Sequence, residues 1–202
     1  MSSTKLNAAG LEPSQSKALQ ERELHPHEKP IAQAIKEMYT CSPTETTFSV
    51  YEPQGVFQDP IGIATGVGSI RAQFIALTSL FPRADVTKFR VLTNPPSVAA
   101  TTLLIDQDVA YFRDPKADKP TKACPAAVFV RSLNSYFSHC QTVNSLLTLK
   151  LSEGHKILHH TEEWDHSKST TSEDGCFGML NEHRKKITAS LTDKIYGGKD
   201  PK

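Results

Sequence analysis

Very little in this sequence is in excess. Lys and Arg total 23 against 22 Asp and Glu, a net charge of +1 over 202 residues. No global field therefore recruits nucleic acid or an anionic membrane surface. The one basic run, His183 to Lys186, reads as the wet face of a helix. Cysteine is scarce and scattered: Cys41, Cys124, Cys140 and Cys176 form no Cys-x-x-Cys pair, which argues against a disulfide framework and a zinc knuckle. No run approaches the ~18 apolar residues of a membrane span. The first residues lack the apolar stretch of a secretory signal, and no arginine precedes Arg22. Gly62, Gly66 and Gly68 cluster without the Lys-Ser/Thr of a phosphate loop. These absences lead to an expected cytoplasmic protein with no nucleic-acid partner, no membrane partner and no cofactor.

What is present suits one soluble domain. Hydrophobic residues make up 38% of the chain, enough for a core without staples. Residues 1–27, rich in Ser, Gln, Lys and Glu, read as a flexible tail with room for an accessory helix over 13–24. Residues 28–168 form the domain, and 169–202 a polar linker and a C-terminal helix from about Glu173. Ile31, Ile35 and Met38 share a helical face. Ser42-Pro43-Thr44-Glu45 has the form of a capped helix start. Residues 55–60 read as a short strand, 62–68 as a connector or second strand. Ile70, Phe74, Leu77 and Phe81 make the clearest helix, stopped by Pro82. Strands follow at 86–93, 98–114, 127–140, 142–152 and 156–165, with an exposed loop at 115–125. Helices precede strands rather than alternating with them, so the class is α+β. A curved antiparallel sheet of about six strands, wrapped by the N-terminal helices, would close as a cone around a cavity.

The succession YEPQGVFQDPIG, GVGSIRAQFIALTSLFP and GHKILHHTEEWD resembles the nuclear-transport-factor-2-like superfamily, which includes SnoaL-like polyketide cyclases and ketosteroid isomerases. The resemblance covers roughly residues 28–166, and within the superfamily the look is closest to fungal SigF-like members. It implies a cone-shaped α+β fold, often a homodimer through the sheet face. In the ketosteroid isomerase branch the aspartate of a matching Asp-Pro-hydrophobic-Gly stretch is the general base, which corresponds to Asp59. That branch also needs a tyrosine on the first helix and an acid on the penultimate strand. Tyr39 is near the first position, whereas Leu147 stands at the second, so true ketosteroid isomerisation is not expected.

Alternation on the closing strand puts Leu158, His160, Glu162 and Trp164 on one face, and the resemblance turns that face toward the cavity. Asp59, His160 and Glu162 are then the candidate acid–base groups, with His160 as proton carrier and Glu162 as its orienter or a second acid. Trp164, Phe57, Phe74, Tyr39, Leu147 and Leu158 are the candidate ligand-binding residues. The plainer alternatives are an Asp59 that only caps its turn and a His–Glu ladder on a wet sheet face. Two carboxylates with one imidazole make a poor zinc set, so no metal is expected. Two functions stay open. One is a cofactor-independent isomerase, cyclase or dehydratase acting on an apolar, carbonyl-bearing molecule. The other is a non-catalytic binding or protein-interaction module of the same fold.

Overall fold

The structure, a computed structural model, describes residues 6–60, 62–120 and 142–168. The strand expected over 127–140 and the C-terminal helix lie outside the described residues, as do Cys124, Cys140 and Cys176. The elements run α1 (Pro13–Lys17), α2 (Lys29–Tyr39), β1 (Tyr51–Gln58), β2 (Ile63–Thr65), α3 (Val67–Leu80), β3 (Arg83–Leu92), β4 (Thr102–Phe112), β5 (Thr142–Leu151) and β6 (Ile157–Trp164). Among the described residues no helix is long and apolar enough to cross a membrane.

The six strands form one open, curved sheet in the order β2-β1-β6-β5-β4-β3. It is not wholly antiparallel as expected: β1 and β6 run parallel. Alternation within a strand carries no information on this, because the direction depends on where α3 returns the chain. Here α3 carries it from β2, at one edge, to β3 at the other. Register shifts in β3, β6 and β1 mark bulges, which bend strands and deepen the twist.

One face of the sheet carries the main core. Ile31, Ile35, Met38 and Tyr39 of α2 and Ile70 and Phe74 of α3 pack on Phe57, Leu103, Ile105, Leu147 and Leu149. Helix α2 forms where the periodicity predicted. The capped start at Ser42–Glu45 does not become a helix. Cys41 turns the chain with a left-handed φ of 56°, and Thr47, in a short 3-10 turn, ties back to the Glu37 carboxylate.

The opposite face is covered by the chain's own N-terminus. The expected flexible tail is, from residue 6 onward, an ordered strap. Leu11 packs with Leu92, Val98, Leu104 and Leu146. The Arg22 N–H donates to the Val91 carbonyl and the Thr93 N–H to the Gln20 carbonyl, both at 2.8 Å, so the strap also blunts the free edge of β3. Its composition looked disordered because few apolar residues hold it. Buried polar contacts do the rest. The Ser16 hydroxyl meets His166 Nδ1 at 2.9 Å, His166 Nε2 meets Asp106 Oδ1 at 3.2 Å, and the Ala8 N–H donates to Glu163 Oε2 at 2.8 Å.

Asp106 anchors this face. Burial alone would raise its carboxyl, but hydrogen bonds from His166, Lys88 and Asn144 outweigh that and hold it well below the usual carboxylate range. Lys88 Nζ lies 2.9 Å and Arg90 Nη1 3.2 Å from it. Removing a buried anion from paired cations costs about 3–5 kcal/mol, whereas an exposed pair contributes under about 1 kcal/mol. Asp106→Asn is therefore expected to lower the urea midpoint strongly. Asp165→Asn, which removes the exposed Lys17–Asp165 pair, is expected to leave it nearly unchanged. Equal losses in the two variants would contradict this account of the strap.

Candidate functional site

Three strands and two helices bring the candidate groups together on the core face. In register, His160 pairs with Leu149 on β5 and with Phe57 on β1, Glu162 with Leu147, and Trp164 with Ser145. Tyr39 comes from the last turn of α2 and Phe74 from the middle of α3. The aromatic rings interlock. Phe57 lies 4.8 Å from His160 and 4.9 Å from Phe74, and Tyr39 lies 5.6 Å from Phe74, centroid to centroid. Leu147 is fully buried among them.

Leu158 does not join this set. It is 47% exposed, because the bulge at the start of β6 puts Leu158 between Ile157, which faces Leu151, and His159, which faces Lys150. One inserted residue shifts the phase of the alternation. Ile157 takes the buried place instead.

Asp59 occupies the turn after β1 and is largely buried. Its Oδ1 accepts the Gly62 N–H at 2.5 Å, while its own N–H donates to the Gly62 carbonyl at 3.1 Å. Its Oδ2 accepts from Gln73 Nε2 at 3.4 Å. The capping role is therefore present. The same carboxylate also acts electrostatically on Glu162, so turn and site are one place.

Glu162 is the most perturbed acid of the group. Burial pushes its carboxyl up and the charge of Asp59 adds to this. Hydrogen bonds from Tyr39, Trp164 and Ser145 pull it back, and the balance is about 7. The Tyr39 hydroxyl donates to Oε2 at 2.8 Å and Trp164 Nε1 to Oε1 at 3.2 Å.

His160 stands behind it. Burial, with a smaller contribution from His159, pushes the imidazole down to about 3, so it is neutral near pH 7. Its tautomer follows from its neighbours. Tyr39 spends its proton on Glu162, so it accepts from His160 Nε2 at 3.4 Å. His160 Nδ1 then accepts from the Tyr51 hydroxyl at 2.7 Å. The result is one directed chain, Tyr51 to His160 to Tyr39 to Glu162. Exposure distinguishes the three: Asp59 keeps 9% and Glu162 7% of its surface, His160 none.

Sequence reasoning missed four members of this cluster. Tyr51 and Gln73 lie within the segments that carry the resemblance without being singled out there, Gln107 and Ser145 lie in none, and the place of all four depends on cross-strand register and the pitch of α3. Among the described residues no group of three metal-ligating side chains converges. A shallow cleft of about 560 Å³ lies outside the cluster, lined by Phe48, Tyr51, Gly66, Arg71 and Lys156 among others. Tyr51 is the wall it shares with the hydrogen-bonded chain.

The sign of the pH dependence follows from these shifts. A carboxyl raised from 4.5 to about 7 holds a proton in the folded state that the unfolded state has released. Its contribution to stability is therefore lost as pH rises through that window. Glu162→Gln cannot ionise. Relative to the unaltered protein, its Tm is expected to gain as the pH goes from 5 to 8, an effect of order a few kcal/mol. Thermal unfolding of both proteins across that range checks this, and a pH-independent difference would contradict it.

No family model and no curated protein matches the chain. Solved structures do match. A SnoaL-like protein from Shewanella putrefaciens aligns with 10% identity and a TM-score of 0.48, covering 82% of this chain and 92% of that one. A nuclear-transport-factor-2-like protein from Anabaena variabilis aligns with 10% identity and a TM-score of 0.47, covering 71% and 93%. A protein of ketosteroid isomerase-like fold from Catenulispora acidiphila, solved with trimethylamine, aligns with 13% identity and a TM-score of 0.44, covering 66% and 83%. At such identities no side-chain role carries over. Solved nuclear-transport-factor-2-like, SnoaL-like and ketosteroid isomerase-like proteins therefore align with this chain over 66–82% of its length at 10–13% identity.

Proposed function

We propose that this chain is a small-molecule pocket protein that moves a proton on an apolar, carbonyl-bearing ligand without a cofactor. Isomerase, cyclase and dehydratase chemistry all begin this way. The observation that carries the reading is the Glu162 carboxyl, held near 7 beside Asp59 while retaining some accessible surface. A group with that pKa takes and returns a proton at neutral pH with little free-energy cost in either direction.

The roles differ from those that the motifs alone suggested. Glu162 is the proton carrier. As a carboxylate it removes a proton from the carbon next to the carbonyl. The C–H electron pair becomes the new C=C bond and the carbonyl oxygen becomes an enolate. The protonated acid then returns the proton to a different carbon. Asp59 tunes Glu162 by its charge and braces the turn. Neutral His160, sealed from solvent, fixes Tyr39 rather than meeting the ligand. Phe57, Phe74 and Leu147 give the apolar wall and Trp164 the accessible edge.

The test uses a carbon acid of the proposed class. Exchange of the α-protons of 2-tetralone in D2O, followed by NMR, is expected to be saturable in the protein. Glu162→Gln should lower it by about 10²-fold or more. Asp59→Asn removes the repelling charge, so the midpoint of the pH–rate profile should move below 7. A protein that binds 2-tetralone yet exchanges it no faster than buffer would leave the non-catalytic binding module as the better reading. The turn hydrogen bonds of Asp59 already favour that alternative at one position.

A further inference from the structure

Buried polar atoms normally find partners. Four side-chain oxygens are buried without a hydrogen-bond partner among the described residues: those of Gln73, Asn94, Gln107 and Thr148. Thr148 sits across from Thr161 and Leu104, away from the acid cluster, and Asn94 is in the turn that its own Nδ2 ties to the Thr102 carbonyl. Gln73 and Gln107 are different, because both flank the Asp59–Glu162 pair.

Gln73 Nε2 donates to Asp59 Oδ2 at 3.4 Å. A carbonyl against that carboxylate would be repelled, so the amide orientation is fixed and the orphan is the carbonyl. Gln107 is fully buried on β4, on the same face as Ile105 and Val109. It pairs in register with Ser145, which pairs with Trp164. Its Nε2 lies 3.5 Å from Ser145 Oγ. Nε2 donates to that hydroxyl oxygen, and the Gln107 carbonyl is again the atom left over. Both amides present a buried acceptor without a partner.

We propose that Gln73 and Gln107 are specificity-determining residues whose side-chain carbonyls accept hydrogen bonds from ligand hydroxyl or N–H groups. This rests on the pocket reading above and narrows it. The ligand carries a hydroxyl or N–H donor in addition to its carbonyl, rather than being a bare hydrocarbon ketone. An acceptor left orphaned in the free protein discriminates strongly, because only a donor-bearing ligand relieves it.

The experiment compares 2-naphthol with 2-methoxynaphthalene, which keeps the oxygen but has no proton to give. Affinities are measured by isothermal titration calorimetry on the full chain. The unaltered protein is expected to prefer 2-naphthol about tenfold or more. Gln107→Met and Gln73→Met should each reduce the preference, and the double variant should abolish it. Gln107→Met should also raise the Tm of the free protein, since it removes an unsatisfied acceptor. Equal affinity for the two probes overturns the inference while leaving the pocket reading intact, and this comparison needs no variant to fold. Binding of neither probe removes both. A preference that survives in the double variant also overturns it, because the selecting donors or acceptors would then lie elsewhere.

Discussion

The desolvated carboxyl of Glu162 is the constraint around which this site is arranged. An ionised carboxylate is costly in a hydrocarbon setting unless charge or hydrogen bonds compensate it. Here the compensation comes from neutral donors, Tyr39, Trp164 and Ser145, and a second carboxylate works against it. The donors keep the acid within reach of ionisation, and Asp59 keeps it from ionising fully. The directed chain from Tyr51 through His160 then fixes Tyr39, so the strongest of these donors cannot wander.

The opposite face of the sheet solves the same problem in the other way. Asp106 is as deeply buried as Glu162, yet Lys88 and Arg90 bring cations to within 3.2 Å of it. Its pKa goes down where that of Glu162 goes up. A buried anion with two cations is locked and serves the fold, here by anchoring the N-terminal strap through His166 and Ser16. A buried acid with neutral donors and a like charge beside it stays poised to exchange a proton. Glu163, on the face of Asp106, is also raised to about 7 by burial, but its carboxylate is tied to the Ala8 N–H of the strap. The proposed chemistry is placed on the core face because Asp59, His160 and Glu162 lie together there.

Much of the fold was legible in the residues. The stripe of Ile70, Phe74 and Leu77 predicted α3, alternation predicted β3 to β6 in outline, and the Asp59 turn fell where the Asp-Pro pair put it. The remainder depended on long-range register. The parallel β1–β6 pair is invisible to local periodicity, and one bulge moved Leu158 out of the set in which alternation had placed it. The strap was missed because polar contacts hold it, and composition records only hydrophobicity. Asp59, His160 and Glu162 were grouped as candidates from the sequence, and the core face brings their side chains together. The division of labour proposed for them was not legible, since it rests on burial and on neighbours from five elements. Gln73 and Gln107 carried no signal at all, because an amide reads as surface until its strand partner is known.

The most direct test of this account is the titration of Glu162 itself. In protein labelled with ¹³C at the glutamate carboxyls, the Glu162 resonance can be assigned by its absence in Glu162→Gln and followed from pH 3 to 9. The account predicts a midpoint near 7 that falls when Asp59 is replaced by Asn. A midpoint at the ordinary glutamate value, unmoved by that replacement, would contradict it.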